Sequence, residues 1–131
     1  MKKIPESHAG IFDKKAFAHL STIMPDGSPQ ASAVWVDTEG PYILVNSAEG
    51  RLKDRNIRRD PRVAVSVVDP DNPYLSLMIR GRVSKSTNEG ADAHIDKMAK
   101  KYMGVDEYPF RTPDEVRVIY YIEPERVAAM G

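Results

Sequence analysis

With 131 residues, 19 Lys/Arg balanced by 19 Asp/Glu and no cysteine, the chain has the size of a single domain, residues 1–131, with room for a genuine core. The balanced charge disfavours a broad nucleic-acid-reading surface, and the missing thiols exclude disulfides, thiolate metal sites and a cysteine nucleophile. No apolar run approaches the ~20 residues that span a bilayer, and the Met1–Pro5 start lacks a signal-peptide core, so the expected location is the cytoplasm with no membrane partner.

Residues 1–10 read as a loose polar arm, and residues 13–15 as the end of a short helical turn. Residues 17–24 suit a strand, and Pro25-Asp26-Gly27-Ser28 suits a hairpin turn. The return strand, from about Gln30 to Val36, puts Ala31, Ala33 and Trp35 on one face. Gln30, Ser32, Val34 and Val36 occupy the other. Residues 37–41 read as the next turn and residues 42–45 as a third strand.

The segment from Asn46 to Arg62 is the most informative. A strand end and a small-residue turn lead into a short basic helix stopped by Pro61. Residues 51–62 hold six Lys/Arg and two Asp, so in a neutral chain the positive charge is concentrated here. A helix start offers unpaired N–H groups and partial positive charge, which suits an anion. At about 100° per residue, Leu52, Lys53, Asn56 and Ile57 share a sector, and the two apolar residues mark it as the inward side. An inward ammonium needs a partner, which a bound phosphate would supply. Arg51 and Lys53 are therefore the candidate phosphate ligands. Arg55, Arg58 and Arg59 read equally as contacts to a ligand's acidic tail or as a solvated face pairing with Asp54 and Asp60. Asn56 reads as a structural amide tying down a neighbouring loop, and Asn46 and Ser47 also fit ordinary turn and cap positions.

Residues 63–68 form a continuous apolar strand of the kind buried on both sides, broken by Asp69-Pro-Asp-Asn-Pro73. Residues 74–85 predict a long strand with Met78, Arg80 and Arg82 on one face and Leu75, Leu77, Ile79 and Val83 on the other. Ser86-Thr-Asn-Glu89 has capping-box spacing. The helix expected after it carries an apolar face of Ala91, Ile95, Met98, Ala99 and Tyr102. Residues 103–113 read as a loop, residues 116–122 as the last strand, and the remainder as a tail. The sum is a mainly antiparallel, α+β or small-barrel architecture of six strands with two or three flanking helices. His8, His19 and His94 have no metal-ligand spacing, and no nucleophile elbow, Walker loop or dinucleotide fingerprint is present. No metal and no catalytic side chain is assigned.

Three segments resemble the pyridoxamine-phosphate-oxidase-like split β-barrel superfamily, and within it the branch using the deazaflavin coenzyme F-420. They are Leu20 to Gln30 with Val34-Trp35; Asn46 to Val68, with its Gly-Arg-x-Lys-x-Arg-Asn-x-x-Arg-Asp-Pro-Arg-Val pattern; and Asp71 to Val83. The resemblance implies a six-stranded split β-barrel, a homodimer with cofactor at the subunit interface, and hydride transfer to a small conjugated substrate. It implies a phosphate near Asn46, Ser47, Arg51 and Lys53; the acidic tail of coenzyme F-420, which FMN lacks, gives Arg55, Arg58 and Arg59 a ligand group to meet. The resemblance places the ring along Gln30, Ser32 and Val34, and the segment around Tyr74 near the cleft. Trp35 reads as a substrate contact or as core. FMN in the same fold is the alternative cofactor, and a non-catalytic cofactor carrier the alternative role.

Overall fold

Small and apolar residues on either side of Asp26-Gly27 build the first hairpin. In the computed structural model, which describes residues 1–131, β1 (Ala18–Ile23) pairs antiparallel with β2 (Pro29–Val34). Asp26 accepts the Ser28 N–H at 2.9 Å, and Gly27 takes a φ of +86° that side-chain-bearing residues rarely adopt. The expected turn at residues 37–41 contains a strand of its own, β3 (Asp37–Glu39), paired with β4 (Tyr42–Ala48). β4 runs three residues further than its apolar stretch because the last strand continues to pair with it as far as Ala48.

After α2 (Leu52–Arg59) come β5 (Arg62–Asp69), β6 (Asn72–Thr87), α3 (Ala91–Met103) and β7 (Arg117–Met130). All pairings are antiparallel, in the order β2-β1-β5-β6-β7-β4-β3. The sheet of this split barrel thus has seven strands rather than six, and it stays open between the edges β2 and β3. No helix is long and apolar enough to cross a membrane.

One face of the sheet holds a core of 17 buried residues, including Leu20, Val45, Val65, Leu77, Ile79 and Tyr120. Ile11 and Phe12 belong to it. Residues 1–10 are therefore no loose arm: α1 (Glu6–Ala9) and a 3₁₀ turn (Gly10–Asp13) are held down by this burial. The buried His8 adds a contact from Nε2 to the Met130 carbonyl at 2.8 Å. β5 is buried on one face only. Val63, Val65 and Val67 enter the core, whereas Val68 is 42% exposed and Ser66 is open as well.

The capping box at residues 86–89 is not used. β6 continues through Ser86 and Thr87 by pairing with Tyr120 and Ile119, and α3 begins after Gly90 at a φ of +75°. The Thr87 hydroxyl instead accepts the Glu89 N–H. The apolar face expected of α3 does pack inward, with Ala91, Ile95, Met98 and Ala99 buried. The tail after Ile122 is also strand. β7 pairs with β6 to Met130, absorbing Pro124 at a register shift opposite Gly81. A Cβ at Gly81 would lie 2.1 Å from the Glu123 carbonyl oxygen, so only glycine permits that approach.

Candidate anion-binding cleft

The turn between β4 and α2 is built from within. Asp54, 2% exposed, accepts the Gly50 N–H at 2.9 Å, the Tyr120 hydroxyl at 2.8 Å and Arg58 Nε at 3.0 Å. Burial pushes its carboxyl pKa up, but these donors outweigh burial and hold it below the ordinary value. Burial, and then the bond to Asp54, raise the Tyr120 phenol. The inward side of α2 is thus Asp54, Asn56 and Ile57, while Leu52 is 38% exposed. A carboxylate that saturates three donors is a better inward residue here than a leucine at the first helical position. Arg58 does pair with Asp54, but with a buried carboxylate, not across a solvated face. Asn56, fully buried, donates to Thr22 Oγ1 at 3.0 Å and accepts Arg59 at 2.9 Å, so it ties the helix to β1.

In front of this turn lies a cleft of about 260 Å³. Lys53, Arg51, Arg117 and Asn46 form one end of it; Phe17, Ala33, Val34, Trp35, Ile95, Met98, Tyr108 and Phe110 form the rest. The aromatic side is a continuous ladder. Trp35 stacks on Tyr102 with ring centroids 5.2 Å apart and planes 4° from parallel. Phe17 leans on Tyr102 at 5.5 Å, while Tyr108 meets Trp35 edge-on at 6.1 Å and Phe110 at 5.7 Å. The Tyr102 hydroxyl locks the ladder to the backbone, donating to the Ala16 carbonyl at 2.6 Å and accepting the Val36 N–H at 3.1 Å.

The basic end is under-neutralised. Arg51 and Arg117 share one carboxylate oxygen of Glu115, at 3.1 and 2.8 Å. Arg117, 4% exposed, also donates from Nε to Asn46 Oδ1 at 2.9 Å and lies over the Tyr108 ring at 5.1 Å. Lys53, half-buried beside them, has no hydrogen bond or ion pair. Burial, and then the charges of Arg51 and Arg117, press its pKa below the ordinary lysine value. Three cations facing one carboxylate leave a surplus of two positive charges where an anion could sit. Behind this end, Asn46 Nδ2 donates to the Ala91 carbonyl at 2.9 Å and to His94 Nδ1 at 3.0 Å. His94 Nε2 donates to Asp37 at 3.0 Å. Burial raises Asp37, but His94, the Thr38 N–H and Lys97 more than offset it and hold its carboxyl at about 2.

Of the residues singled out in the sequence, the fold brings Val34, Trp35, Asn46, Arg51 and Lys53 into this one cleft. Gln30, half-buried on β2, accepts the Thr22 hydroxyl at 3.1 Å. Ser32 Oγ is buried without a partner, and Ser47 is buried within β4. Arg55 is exposed on α2, and Tyr74 is 81% exposed at the start of β6. None of these five lines the cleft. Sequence reasoning missed Arg117, Tyr108 and Phe110. An arginine inside the apolar Val116–Ile122 run was the available signal for the first, since a buried guanidinium demands a purpose. The two aromatics sit in an irregular segment with no periodicity to read.

A family model described as pyridoxamine 5′-phosphate oxidase matches residues 4–131. A solved F-420 reductase is 33% identical, with a TM-score of 0.83 over 95% of this chain and 98% of that one. A pyridoxamine 5′-phosphate oxidase-like protein of Listeria innocua is 22% identical with a TM-score of 0.69, covering 92% of both chains. A conserved hypothetical protein of Mycobacterium tuberculosis is 21% identical with a TM-score of 0.69, over 99% and 89% of the two chains. The last two likenesses concern the fold alone.

Proposed function

The chain belongs to the pyridoxamine 5′-phosphate oxidase family, and on that premise we propose that it is an oxidoreductase using coenzyme F-420. The observation that carries the proposal is Lys53: a half-buried ammonium with no partner, repelled by two neighbouring guanidinium groups, at the mouth of an aromatic cleft. An anion there relieves both costs at once. The donor set fits a phosphodiester. Arg51 offers its guanidinium, Arg117 the Nη2 that its contacts to Asn46 and Glu115 leave over, and Lys53 a point charge, while the Phe17–Trp35–Tyr108–Phe110 wall suits a flat ring system. The likeness to an F-420 reductase, at 33% identity, favours the deazaflavin over FMN.

When bound, the deazaflavin supplies hydride from its C5 to a small conjugated acceptor. The chain's own work is binding, orientation and exclusion of water. Lys53, Arg51 and Arg117 hold the phosphate, the aromatic ladder keeps the cleft dry, and Trp35 presents a face to the substrate. We further propose a homodimer. The open sheet face, with Val68, Met78 and Met130 exposed by 42%, 51% and 58%, suits a second copy. In that arrangement Gln30, Ser32 and Tyr74 serve the cofactor at the subunit interface, and Arg55 reaches the acidic tail.

A side-by-side fluorescence titration of coenzyme F-420 and FMN tests the reading. Micromolar or tighter binding of F-420, with weaker FMN binding, is the expected result, followed by turnover with enone or quinone acceptors. Preference for FMN moves the protein to flavin chemistry, and tight binding without turnover makes it a carrier. Binding of neither overturns the proposal.

A further inference from the structure

His94 and Asp37 form a largely buried pair, 10% and 15% exposed, that no step of the proposed reaction uses. The pair is joined to the anion site through a single amide. Asn46 Nδ2 donates to the Ala91 carbonyl at 2.9 Å, and its Oδ1 receives Arg117 Nε at 2.9 Å. Those two contacts fix which way the amide faces. His94 Nδ1, 3.0 Å from the same Nδ2, must then be an acceptor. The ring's one proton therefore sits on Nε2, pointed at Asp37 Oδ2 3.0 Å away.

We propose that His94 is a positioning residue of the anion site, holding Arg117 in place through Asn46 only while its ring is neutral. A second proton on Nδ1 would face the Asn46 NH₂, donor against donor. Turning the amide by half a turn would satisfy the imidazolium, but it would set the NH₂ against Arg117 Nε–H and abandon the Ala91 carbonyl. No orientation of Asn46 serves a charged His94 and Arg117 together. Arg117 would then keep the Glu115 carboxylate and the Tyr108 ring face but lose the hydrogen bond that fixes its Nε. The charged groups around the pair are Lys97 on His94's own helix, 3.3 Å from Asp37, Lys101 one turn further along that helix and close enough to feel the charges of Asp37 and Lys97, and Arg117 on β7; β4 contributes the neutral Asn46. The consequence is an acid limb on ligand affinity, set from behind the cleft by a residue that touches no ligand. This rests on reading the cleft as the phosphate site.

Two measurements on the intact protein test it. In the ligand-free protein, the Arg117 Nε–H signal in a nitrogen–proton correlation spectrum, assigned with Arg117→Lys, should move with the same midpoint as the His94 ring. The dissociation constant of coenzyme F-420 should rise about tenfold below that midpoint, roughly the loss of one charge-assisted hydrogen bond. His94→Gln, compared at each pH so that titration of the probe cancels, should flatten the profile. An Arg117 signal indifferent to His94, with F-420 still bound, overturns the inference and leaves the cofactor reading intact. An Arg117 signal that follows His94, with no F-420 binding at any pH, upholds the device and overturns the cofactor reading. If His94→Gln does not fold, the wild-type Arg117 signal alone decides.

Discussion

Lys53 and Asp54 are neighbours on the same helix and live in opposite circumstances. Asp54 is buried with its donors complete: Gly50, Tyr120 and Arg58 each give it a hydrogen bond. Lys53 is half-buried and has none, and its surroundings add like charge. A finished polar network gains nothing from a ligand and serves to hold shape. An unfinished one is costly in the free protein and is where a ligand's charge counts most. The strand-to-helix turn thus divides into a structural side, turned to Tyr120 in the core, and the side proposed to bind a ligand, turned to the aromatic cleft.

The sharpest way to break this contrast is Asp54→Ala. It strands the Tyr120 hydroxyl and the Gly50 N–H in the interior and leaves Arg58 without its main partner, so a loss of about 3–5 kcal/mol is expected by urea denaturation. Lys53→Met should do the reverse. Cofactor affinity falls by about 2–3 kcal/mol in a binding titration, while the ligand-free protein is as stable as wild type or slightly more so. The lowered pKa gives that comparison a pH signature. Folding disfavours the charged ammonium, so the penalty is present at low and neutral pH. It fades as pH rises through the depressed folded value toward the ordinary 10.5. Any stability advantage of Lys53→Met should therefore shrink on the alkaline side, measured by melting across pH.

Asp37 lies behind the binding side but is satisfied like Asp54. Its folded carboxyl, at about 2 against 3.8 unfolded, contributes stability that is fully present above the unfolded value. That contribution is lost as pH falls through the folded one. Wild type should exceed Asp37→Asn by about 2 kcal/mol near neutrality, with the gap closing in acid denaturation. The smallest effect is expected at the exposed Arg55, which makes no ion pair. Arg55→Ala should change stability by less than about 0.5 kcal/mol, with any loss confined to affinity for a ligand bearing an acidic tail.

Much of this could be read from local pattern. The Asp26-Gly27 turn, the alternation along β2, the basic helix ended by Pro61 and the apolar face of α3 are properties of a few adjacent residues, and the structure has them all. Lys53 was also legible, because a cation sharing a helix sector with apolar residues stands out. The guide used to find that sector was partly mistaken, since Leu52 is exposed and Asp54 lies inside. Helical phase alone cannot tell an exposed first helical residue from a buried one, nor foresee that Tyr120, 66 residues on, supplies the donor that makes a buried carboxylate stable.

By itself, then, the sequence determined most of the elements, the antiparallel class and the basic strand-to-helix turn on which the proposed anion site rests, because each follows from spacing within one strand, turn or helix. Only the tertiary structure decided what stands around that site. Residues 1–13 close on the core, β7 runs to Met130, and Arg117, Tyr108, Phe110, His94 and Asp37 converge on Asn46 and Trp35. These partners are set by sheet register and by burial shared among distant strands. Such contacts are energies of pairs far apart along the chain, and no local periodicity carries them.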